Sequence, residues 1–515
     1  MKISYHLALF LLAAYLCALN FALFSYIYNG LLLSSEPILL GFIIFTSIFL
    51  IILASLYLLA PPKIPFKITS SLLIITAAIS TYFMQSYGAV LNKDMMINVL
   101  ESDQQEAMSY LNAKFILWTL FLGILPSAFF AFIKLEYKSG AKPYIFRIIA
   151  GFMLPLIIAG VCIGASSKSI VPFFRDNKDA AKLHLPYFPL ISFSRALASK
   201  LQKPKVLDQI ALNATRDDDK SKNKLLVFVL GETARAQNYS ALGYSVNDTN
   251  AYTKPFIQSG NAKYFDALSC GTSTAISVPC MFSHASKSDF SSKLYAQNAI
   301  DFLAQTGLQT AWISNNNGGC KGVCDRIGKK QLNAQFDEGL MQPLREFLQE
   351  VKGDAIVTLH LLGSHGPTYY KRYPQNFAHF LPTCQTSDLG KCDTQAIINT
   401  YDNTILYTDF VLSRIINEIT KQDDIEASLI YISDHGESLG ENGLYLHGMP
   451  YALAPDFQMH VPLMFYSENK ALLAQIKQGV SFSQDYIFHT LLGFFGVKSS
   501  YYDPNLDMFK PNTQG

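Results

Sequence analysis

Long apolar stretches occupy the first third of the chain. Five of them are long enough to cross a bilayer as helices, which takes about 20 apolar residues each. They lie near 6–28, 38–60, 68–88, 115–134 and 147–166. The first stretch is too long for a signal peptide, and no small-residue cleavage site follows it. The pattern predicts an α-helical membrane domain with five spans over residues 1–166.

From residue 224 the pattern changes to apolar runs of strand length that alternate with helical stretches. This alternation predicts an α/β domain with a largely parallel central sheet over residues 221–515. Four of the runs end in polar or ionisable residues: "KLLVFVLGET", "LQTAWISNNN", "AIVTLHLLGSHG" and "LIYISDHGES". Because ligands bind at the carboxyl ends of the strands in such sheets, we expect these four endings to converge on one crevice.

Residues 167–220 join the two parts. They contain scattered aromatic residues, several prolines and the charged stretch "TRDDDKSKNK", which is typical of a solvated linker. Aromatic pieces such as "LPYFPLISF" are compatible with helices at the membrane surface. We therefore predict a linker with interfacial helices.

Composition and loop charge change this picture in two ways. The 515 residues are 50% hydrophobic and only 16% charged, against roughly 25% charged in soluble proteins, and the net charge of +2 gives no indication of nucleic-acid binding. Loops rich in basic residues stay on the cytoplasmic side of the membrane. Two predicted loops are basic, 61–67 and 134–147, and their basic residues are Lys63, Lys67, Lys134, Lys138, Lys142 and Arg147. The loop at 29–37 has no Lys or Arg, and acidic residues dominate 89–114. The N-terminus is therefore expected inside, and everything after residue 166 outside.

The cysteines agree with export. Of the eight, Cys17 and Cys162 lie in predicted spans, and the other six form three close couples. The couples are Cys270/Cys280, Cys320/Cys324 and Cys384/Cys392. Six cysteines permit fifteen pairings, but couples so near in sequence favour local bridges in an oxidising compartment. Half a zinc knuckle at Cys320/Cys324 is the alternative, yet it would need a second Cys or His pair nearby, and the sequence has none.

Two carboxylates and an imidazole follow two of the strands. Glu232, Asp434 and His435 form a set suited to a divalent metal, most naturally zinc. The segment "SCGTSTAISVPC" adds the hydroxyls of Thr272, Ser273, Thr274 and Ser277. A nearby metal would lower the pKa of a hydroxyl and make it a nucleophile, and a helix start would favour a bound phosphate. Each residue also has a structural alternative, because a Glu or Thr at this place can cap a helix and a lone His is more often structural.

Four longer motifs make the chemistry specific. "GETARAQNYSALGY", "SCGTSTAISVPCMFS", "LLGSHGPTYYKRYP" and "SDHGESLGENGLYLHG", behind five spans, resemble the lipid A phosphoethanolamine transferases. That family includes the mobile colistin-resistance enzymes and belongs to the alkaline phosphatase/sulfatase superfamily. The resemblance implies that Glu232, Thr274, Asp434 and His435 bind zinc and that Thr274 is the catalytic nucleophile. It also places the family's disulfides on the three couples.

The resemblance implies substrate-binding residues as well. His365 and His447 match positions that bind the substrate phosphate or a second zinc, and Lys321 matches a substrate-side cation. Asn316 matches less well, because "WISNNNGGCKGVC" has one more residue between Trp and Lys than the family pattern. His284, His360 and His460 are expected to be structural.

The outside loop at 89–114 carries a further candidate group. Asn98, Ser102 and Glu106 are spaced i, i+4, i+8 and would share one face of a helix. The resemblance implies that they hold the donor headgroup, with Glu106 paired to its ammonium. The alternative is the ordinary polar face of an interfacial helix.

The implied reaction takes phosphoethanolamine from phosphatidylethanolamine onto Thr274 and then onto a lipid A phosphate. The implied enzyme is a zinc-dependent monomer of the bacterial inner membrane with a periplasmic catalytic domain, and its product confers resistance to polymyxins. One alternative is a related transferase with another acceptor, such as lipopolysaccharide core or a periplasmic glucan. Another is a non-catalytic scaffold or a transporter, although transporters carry ionisable residues within their spans and these spans have almost none.

Overall fold

The chain divides into two units in the computed structural model. One comprises Met1–Ile97 and Leu111–Leu201, and the other Asn98–Tyr110 and Gln202–Gly515. The described residues are 2–31, 37–101, 107–108, 110–136, 141–201, 206–216, 223–291, 294–316, 318–422 and 425–509. The helices Ser167–Asp176 and Tyr187–Leu201, which fall in the predicted linker, group with the first unit. The domain boundaries at 166 and 220 stay predictions.

Apolar helices build the first unit. Three single helices are long and apolar enough to cross a membrane: Pro37–Leu59, Ile64–Tyr87 and Ala113–Phe132. Two bent pairs also qualify, namely Tyr5–Ala18 with Phe21–Leu31 at 61° and Ile149–Ala165 with Ser167–Arg175 at 82°. The described residues thus contain three helices that could span a membrane, or up to five such segments if each bent pair counts as one, which supports the predicted five in part. The unit also contains the helix Ala141–Ala165, the first part of the helix Lys93–Glu101, up to Ile97, and a short parallel pair of strands, Lys2–Ser4 and Lys134–Glu136.

The first bent pair breaks at a buried asparagine. The Asn20 amide donates to the carbonyls of Leu16 at 2.8 Å and Leu185 at 3.1 Å, and its oxygen accepts from the Leu185 amide at 2.8 Å. The Thr81 hydroxyl donates to the Leu19 carbonyl at 2.9 Å. Because a break in an apolar helix leaves backbone groups without partners, these side chains make the bend tolerable.

The second unit is built on an eight-stranded sheet. Its strands in chain order are β1 Asn223–Gly231, β2 Ala262–Leu268, β3 Gln309–Ser314, β4 Gly328–Gln331, β5 Ala355–His360, β6 Ile425–Ser433, β7 His460–Ser467 and β8 Phe482–Ser483. Across the sheet the order is β8-β2-β7-β6-β1-β5-β3-β4. Only β7 runs antiparallel to its neighbours. The prediction of a largely parallel sheet is confirmed.

The central strands are buried on both faces, as their continuous apolar sequences require. In β1 every residue from Leu225 to Gly231 is buried, and β6 is buried from Ala427 to Ser433. The helices of this unit are Lys254–Gln258, Thr274–Met281, Ala299–Gln305, Met341–Glu350, Thr394–Ile419, Asp456–Met459, Lys470–Ala474 and Asp485–Phe494. Two short antiparallel pairs complete it, Thr215–Arg216 with Val497–Lys498 and Ser438–Leu439 with Tyr445–Leu446.

All three predicted disulfides are present. Bridges join Cys270 to Cys280, Cys320 to Cys324 and Cys384 to Cys392. Cys17 and Cys162 are not bridged. The local pairing indicated by sequence distance is therefore confirmed.

Removing a bridge should affect stability and activity differently at two places. We expect the double variant Cys384→Ser/Cys392→Ser to lose about 2–3 kcal/mol of stability, as the chain-entropy model gives for a short loop, and to stay active. Cys270→Ser/Cys280→Ser should lose activity as well, because this bridge encloses Thr274. Denaturant unfolding and a transfer assay, run side by side, check this. Equal activity in the two variants would contradict it.

Candidate active site

The four predicted strand endings lie at one edge of the sheet. They follow β6, β1, β5 and β3, which are consecutive neighbours. Strands β1 and β6 pair in parallel register, with Gly231 opposite Ser433, and the Asp434 amide donates to the Gly231 carbonyl at 3.1 Å. Since Glu232 and Asp434 are the next residues of the two strands, this register brings their carboxylates together. The predicted convergence is observed.

Glu232, Asp434 and His435 form a buried cluster. They are 1%, 0% and 0% exposed, and one ligand atom from each lies within 4.8 Å of the others. His435 Nε2 is 3.4 Å from Glu232 Oε1 and 3.3 Å from Asp434 Oδ2. Among the described residues, the other groupings of this kind contain cysteines that are bonded in disulfides. This cluster is therefore the candidate metal centre.

The donor set fits a divalent cation. Asp434 Oδ2 is buried and accepts no hydrogen bond from the described residues. His435 Nδ1 lies 2.9 Å from the Gly436 carbonyl, which can only accept, so Nδ1 carries a hydrogen and Nε2 is the atom presented to the carboxylates. Burial, with the charge of Glu232, raises the pKa of Asp434 above its ordinary value. Two carboxylates and an imidazole nitrogen in a dry site suit zinc.

Thr274 places its hydroxyl against this cluster. It is the first residue of the helix Thr274–Met281, and the bridge from Cys270 to Cys280 spans this helix start. Thr274 Oγ1 lies 3.2 Å from Glu232 Oε2 and 3.4 Å from His435 Nε2. The neighbouring Thr272 hydroxyl instead donates to the Met449 carbonyl at 2.6 Å. Geometry therefore favours Thr274 over Thr272 as the reactive hydroxyl.

The structure places Asn316 against the cluster and Lys321 beside the loop that follows Asn316. Asn316 Nδ2 donates to Glu232 Oε2 at 2.8 Å and to the Leu361 carbonyl at 3.2 Å. This contact orients the Glu232 carboxylate, whereas the predicted substrate contact of Asn316 stays a prediction. A Cβ built on Gly318 would lie 2.9 Å from Asn316 Oδ1 and 3.7 Å from Lys321 Nζ, which places the Lys321 ammonium beside the same loop.

His365 and His447 also lie at the site. Their ring centroids are 5.5 Å apart, and the His447 ring is 4.3 Å from that of His435. The Nδ1 atoms lie 2.8 Å from the Gly366 carbonyl in His365 and 2.8 Å from Glu437 Oε2 in His447. Because the Gly366 carbonyl can only accept, neutral His365 carries its hydrogen on Nδ1 and leaves Nε2 unprotonated. The predicted group of histidines is assembled, and its role stays a prediction.

Of the three residues predicted to hold the donor headgroup, the structure describes only Asn98. Asn98 lies in the helix Lys93–Glu101, and residues Asn98–Tyr110 group with the second unit. Ser102 and Glu106 lie outside the described residues.

Several residues that hydrogen-bond to the candidate metal ligands, or to their neighbours, were not predicted from the sequence. The Thr233 hydroxyl donates to Glu232 Oε1 at 2.6 Å, and the Gln484 side chain donates to the carbonyls of Ser433 at 2.8 Å and Asp434 at 2.7 Å. Glu437 is buried, accepts from the Tyr369 hydroxyl at 2.5 Å and contacts His447. Thr233 and Glu437 belong to the "GET" and "DHGE" motifs, so their position was a signal. Tyr369 likewise lies in the motif "LLGSHGPTYYKRYP", whereas nothing in the pattern indicated Gln484.

Known proteins share both units. Residues 45–201 match the family described as phosphoethanolamine transferase EptA/EptB, and residues 224–497 match the sulfatase family. Phosphoethanolamine transferase EptA of Escherichia coli strain K12 is 34% identical over 471 residues, which cover 85% of this chain and 84% of the relative. The chain belongs to the phosphoethanolamine transferase family. The family resemblance read from the motifs is confirmed.

Two further comparisons extend this assignment. The phosphatidylethanolamine transferase Mcr-1 of Escherichia coli is 36% identical to this phosphoethanolamine transferase over 461 residues, 83% of each chain. The integral membrane protein lipooligosaccharide phosphoethanolamine transferase A from Neisseria meningitidis matches 99% of this chain and 100% of its own, with a TM-score of 0.93 and 28% identity. The predicted combination of a membrane unit with a sulfatase-like α/β unit is confirmed.

Replacing a ligand should remove the metal without unfolding this phosphoethanolamine transferase. We expect the purified full-length protein to carry a divalent metal, and Asp434→Ala and His435→Ala to lose it. Metal-free Asp434→Ala should stay folded and melt close to the metal-free parent, because relief of the like charge beside Glu232 offsets the two amide hydrogen bonds that Asp434 Oδ1 loses. Metal analysis and thermal melting measure both effects. His460→Ala is the control, since His460, at the start of strand β7, pairs with Asp266 of strand β2, away from the cluster. Stoichiometric metal in both ligand variants would refute the assignment.

Proposed function

We propose that this protein transfers phosphoethanolamine from phosphatidylethanolamine to a phosphate of lipid A, with Thr274 as the residue that carries the group. The observation that supports this most directly is the Thr274 hydroxyl within 3.4 Å of both Glu232 and His435, at the start of a helix. Membership of the phosphoethanolamine transferase family supports the transferred group and the donor. The bacterial inner membrane, with the second unit in the periplasm, is the compartment in which such a donor and acceptor meet.

In the first step Thr274 Oγ1 attacks the phosphorus of the donor. A bond forms between Oγ1 and phosphorus, and the bond from phosphorus to the diacylglycerol oxygen breaks. The hydroxyl proton leaves Thr274, and the diacylglycerol oxygen gains a proton. The helix N-terminus directs its amides toward the negative charge of the phosphate.

In the second step an oxygen of the lipid A phosphate attacks the same phosphorus. The bond from phosphorus to Thr274 Oγ1 breaks, a diphosphate link forms, and Thr274 regains its proton. A bound zinc ion would lower the pKa of the attacking hydroxyl and offset the charge of the phosphoryl oxygens. Lys321, His365 and His447 would contact those oxygens, and Asn98, Ser102 and Glu106 would hold the ethanolamine group.

The transfer would change the charge of the outer surface. The acceptor gains an ammonium and loses net negative charge, so cationic peptides such as polymyxins bind the membrane less well. Resistance to these peptides is the expected cellular effect.

The nucleophile can be tested by substitution. Thr274→Ala should abolish transfer and keep most of the metal, because Glu232, Asp434 and His435 remain. Thr274→Ser should keep some activity, since it retains the oxygen and loses only the methyl group that restricts the rotamer. After incubation with phosphatidylethanolamine, intact-protein mass spectrometry should show one added phosphoethanolamine, mapped to the peptide that contains Thr274. Phosphoethanolamine mapped to Thr272 or Ser273 would refute Thr274 as the nucleophile. Full activity of Thr274→Ala would refute it as well.

The acceptor needs a separate measurement. Mass spectrometry of lipid A from cells that express the protein should show an added phosphoethanolamine on a phosphate, absent from cells that express Thr274→Ala. If the phosphoethanolamine were found on a core sugar or a periplasmic glucan instead, the protein would still be a transferase. Lipid A would then not be its acceptor.

A further inference from the structure

Thr233 has a backbone conformation that its side chain disfavours. Its φ is +58°, in the left-handed region, and it is completely buried between Glu232 and the loop that follows. A positive φ is uncommon for any residue but glycine, and for a β-branched residue it is a genuine outlier. Such a conformation persists only when surrounding contacts enforce it, and conformations of this kind cluster at functional sites.

The contacts that enforce it connect the two carboxylates of the metal centre. The Thr233 amide donates to Asp434 Oδ1 at 3.0 Å, and its hydroxyl donates to Glu232 Oε1 at 2.6 Å. Its carbonyl accepts from the Tyr401 hydroxyl at 2.7 Å. One residue therefore supplies a hydrogen-bond donor to each of two carboxylates that would otherwise repel one another.

These contacts also decide which oxygens face the cluster. Asp434 Oδ1 accepts from the amides of Thr233 and His435, so Oδ2 is left toward His435 Nε2 without a donor among the described residues. Glu232 is held from two sides, by Thr233 at Oε1 and by Asn316 at Oε2. Asn316 reaches only Glu232, whereas Thr233 is bonded to both carboxylates. Within the frame set by the strand register, Thr233 thus helps to set the spacing between the two carboxylates.

We propose that Thr233 is a positioning residue that sets Glu232 and Asp434 at their metal-binding separation before the metal arrives, at the cost of its own backbone strain. This inference rests on the metal site of the proposed function. The hydroxyl is needed for Glu232, and the left-handed φ, the rotation between the amide and the side chain, lets the hydroxyl reach Glu232 while the amide faces Asp434. Hydrogen-bond partners of metal ligands typically change metal affinity by about 10–100-fold when they are replaced.

Four substitutions separate the hydroxyl from the backbone. Thr233→Ser keeps the hydroxyl, Thr233→Val keeps the branched shape and removes the hydroxyl, and Thr233→Ala and Thr233→Gly remove both. Zinc affinity of the full-length protein in detergent, measured by competition with a chromophoric chelator, should be near the parent's for Ser. For Val, Ala and Gly it should fall about 10–100-fold. Thr253→Val is the matched control, because the Thr253 hydroxyl also donates to a buried carboxylate, Asp409, but lies outside the metal centre.

The strain has its own readout, which needs neither metal nor activity. At an ordinary position glycine is less stable than alanine, because it gains more freedom in the unfolded chain. At a positive φ this order reverses, so metal-free Thr233→Gly should melt above metal-free Thr233→Ala. A variant that has merely lost packing would show the ordinary order.

The outcomes distinguish this inference from the proposed function. A parent protein without metal overturns the proposed metal site, and this inference with it. A parent that binds zinc, with Thr233→Val of equal affinity, overturns the positioning role alone. If metal-free Thr233→Ala melts above metal-free Thr233→Gly, the proposed backbone strain at Thr233 is overturned. The inference is supported if Thr233→Val, Thr233→Ala and Thr233→Gly bind zinc weakly while Thr233→Ser and Thr253→Val have a zinc affinity near the parent's.

Discussion

The in-register pairing of two parallel strands is the constraint on which the site depends. Strands β1 and β6 place Gly231 opposite Ser433 in the middle of the sheet, so the next residue of each strand is a carboxylate, Glu232 or Asp434. Both carboxylates are buried, and charge buried without partners is costly. The surrounding residues supply donors to them, and the remaining acceptor, Asp434 Oδ2, is the atom that a cation would satisfy.

Close backbone packing holds these strand ends in place. A Cβ on Gly436 would lie 2.1 Å from the Phe457 carbonyl oxygen. The loop after His435 can therefore pack against the Phe457 backbone only with glycine at this position. Gly363 has a φ of +56°, and a Cβ there would lie 2.6 Å from the Glu232 carbonyl oxygen. Ligands at the ends of rigid strands, with such loops packed against them, keep their geometry better than ligands within loops.

The segment that carries Thr274 is connected to the same strand ends by the side chain of Gln484. Gln484 Oε1 accepts from the Cys270 amide at 2.7 Å, and Gln484 Nε2 donates to the carbonyls of Ser433 and Asp434. Cys270 is bridged to Cys280 across the start of the helix that begins at Thr274. The hydroxyl and the metal centre are therefore fixed relative to each other through both covalent and hydrogen bonds.

Local patterns in the sequence were enough to predict the apolar spans, the mostly parallel sheet, the cysteine couples, and Glu232, Asp434 and His435 as residues of one site. Thr274 was singled out among four nearby hydroxyls by the family resemblance. The break of the first span, the antiparallel strand β7, the left-handed backbone of Thr233 and the role of Gln484 arise only in the folded chain. Periodicity and strand-end chemistry are local properties of a chain. By contrast, Asn20 meets Leu185, and Gln484 meets Cys270, across distances in sequence that no local pattern spans.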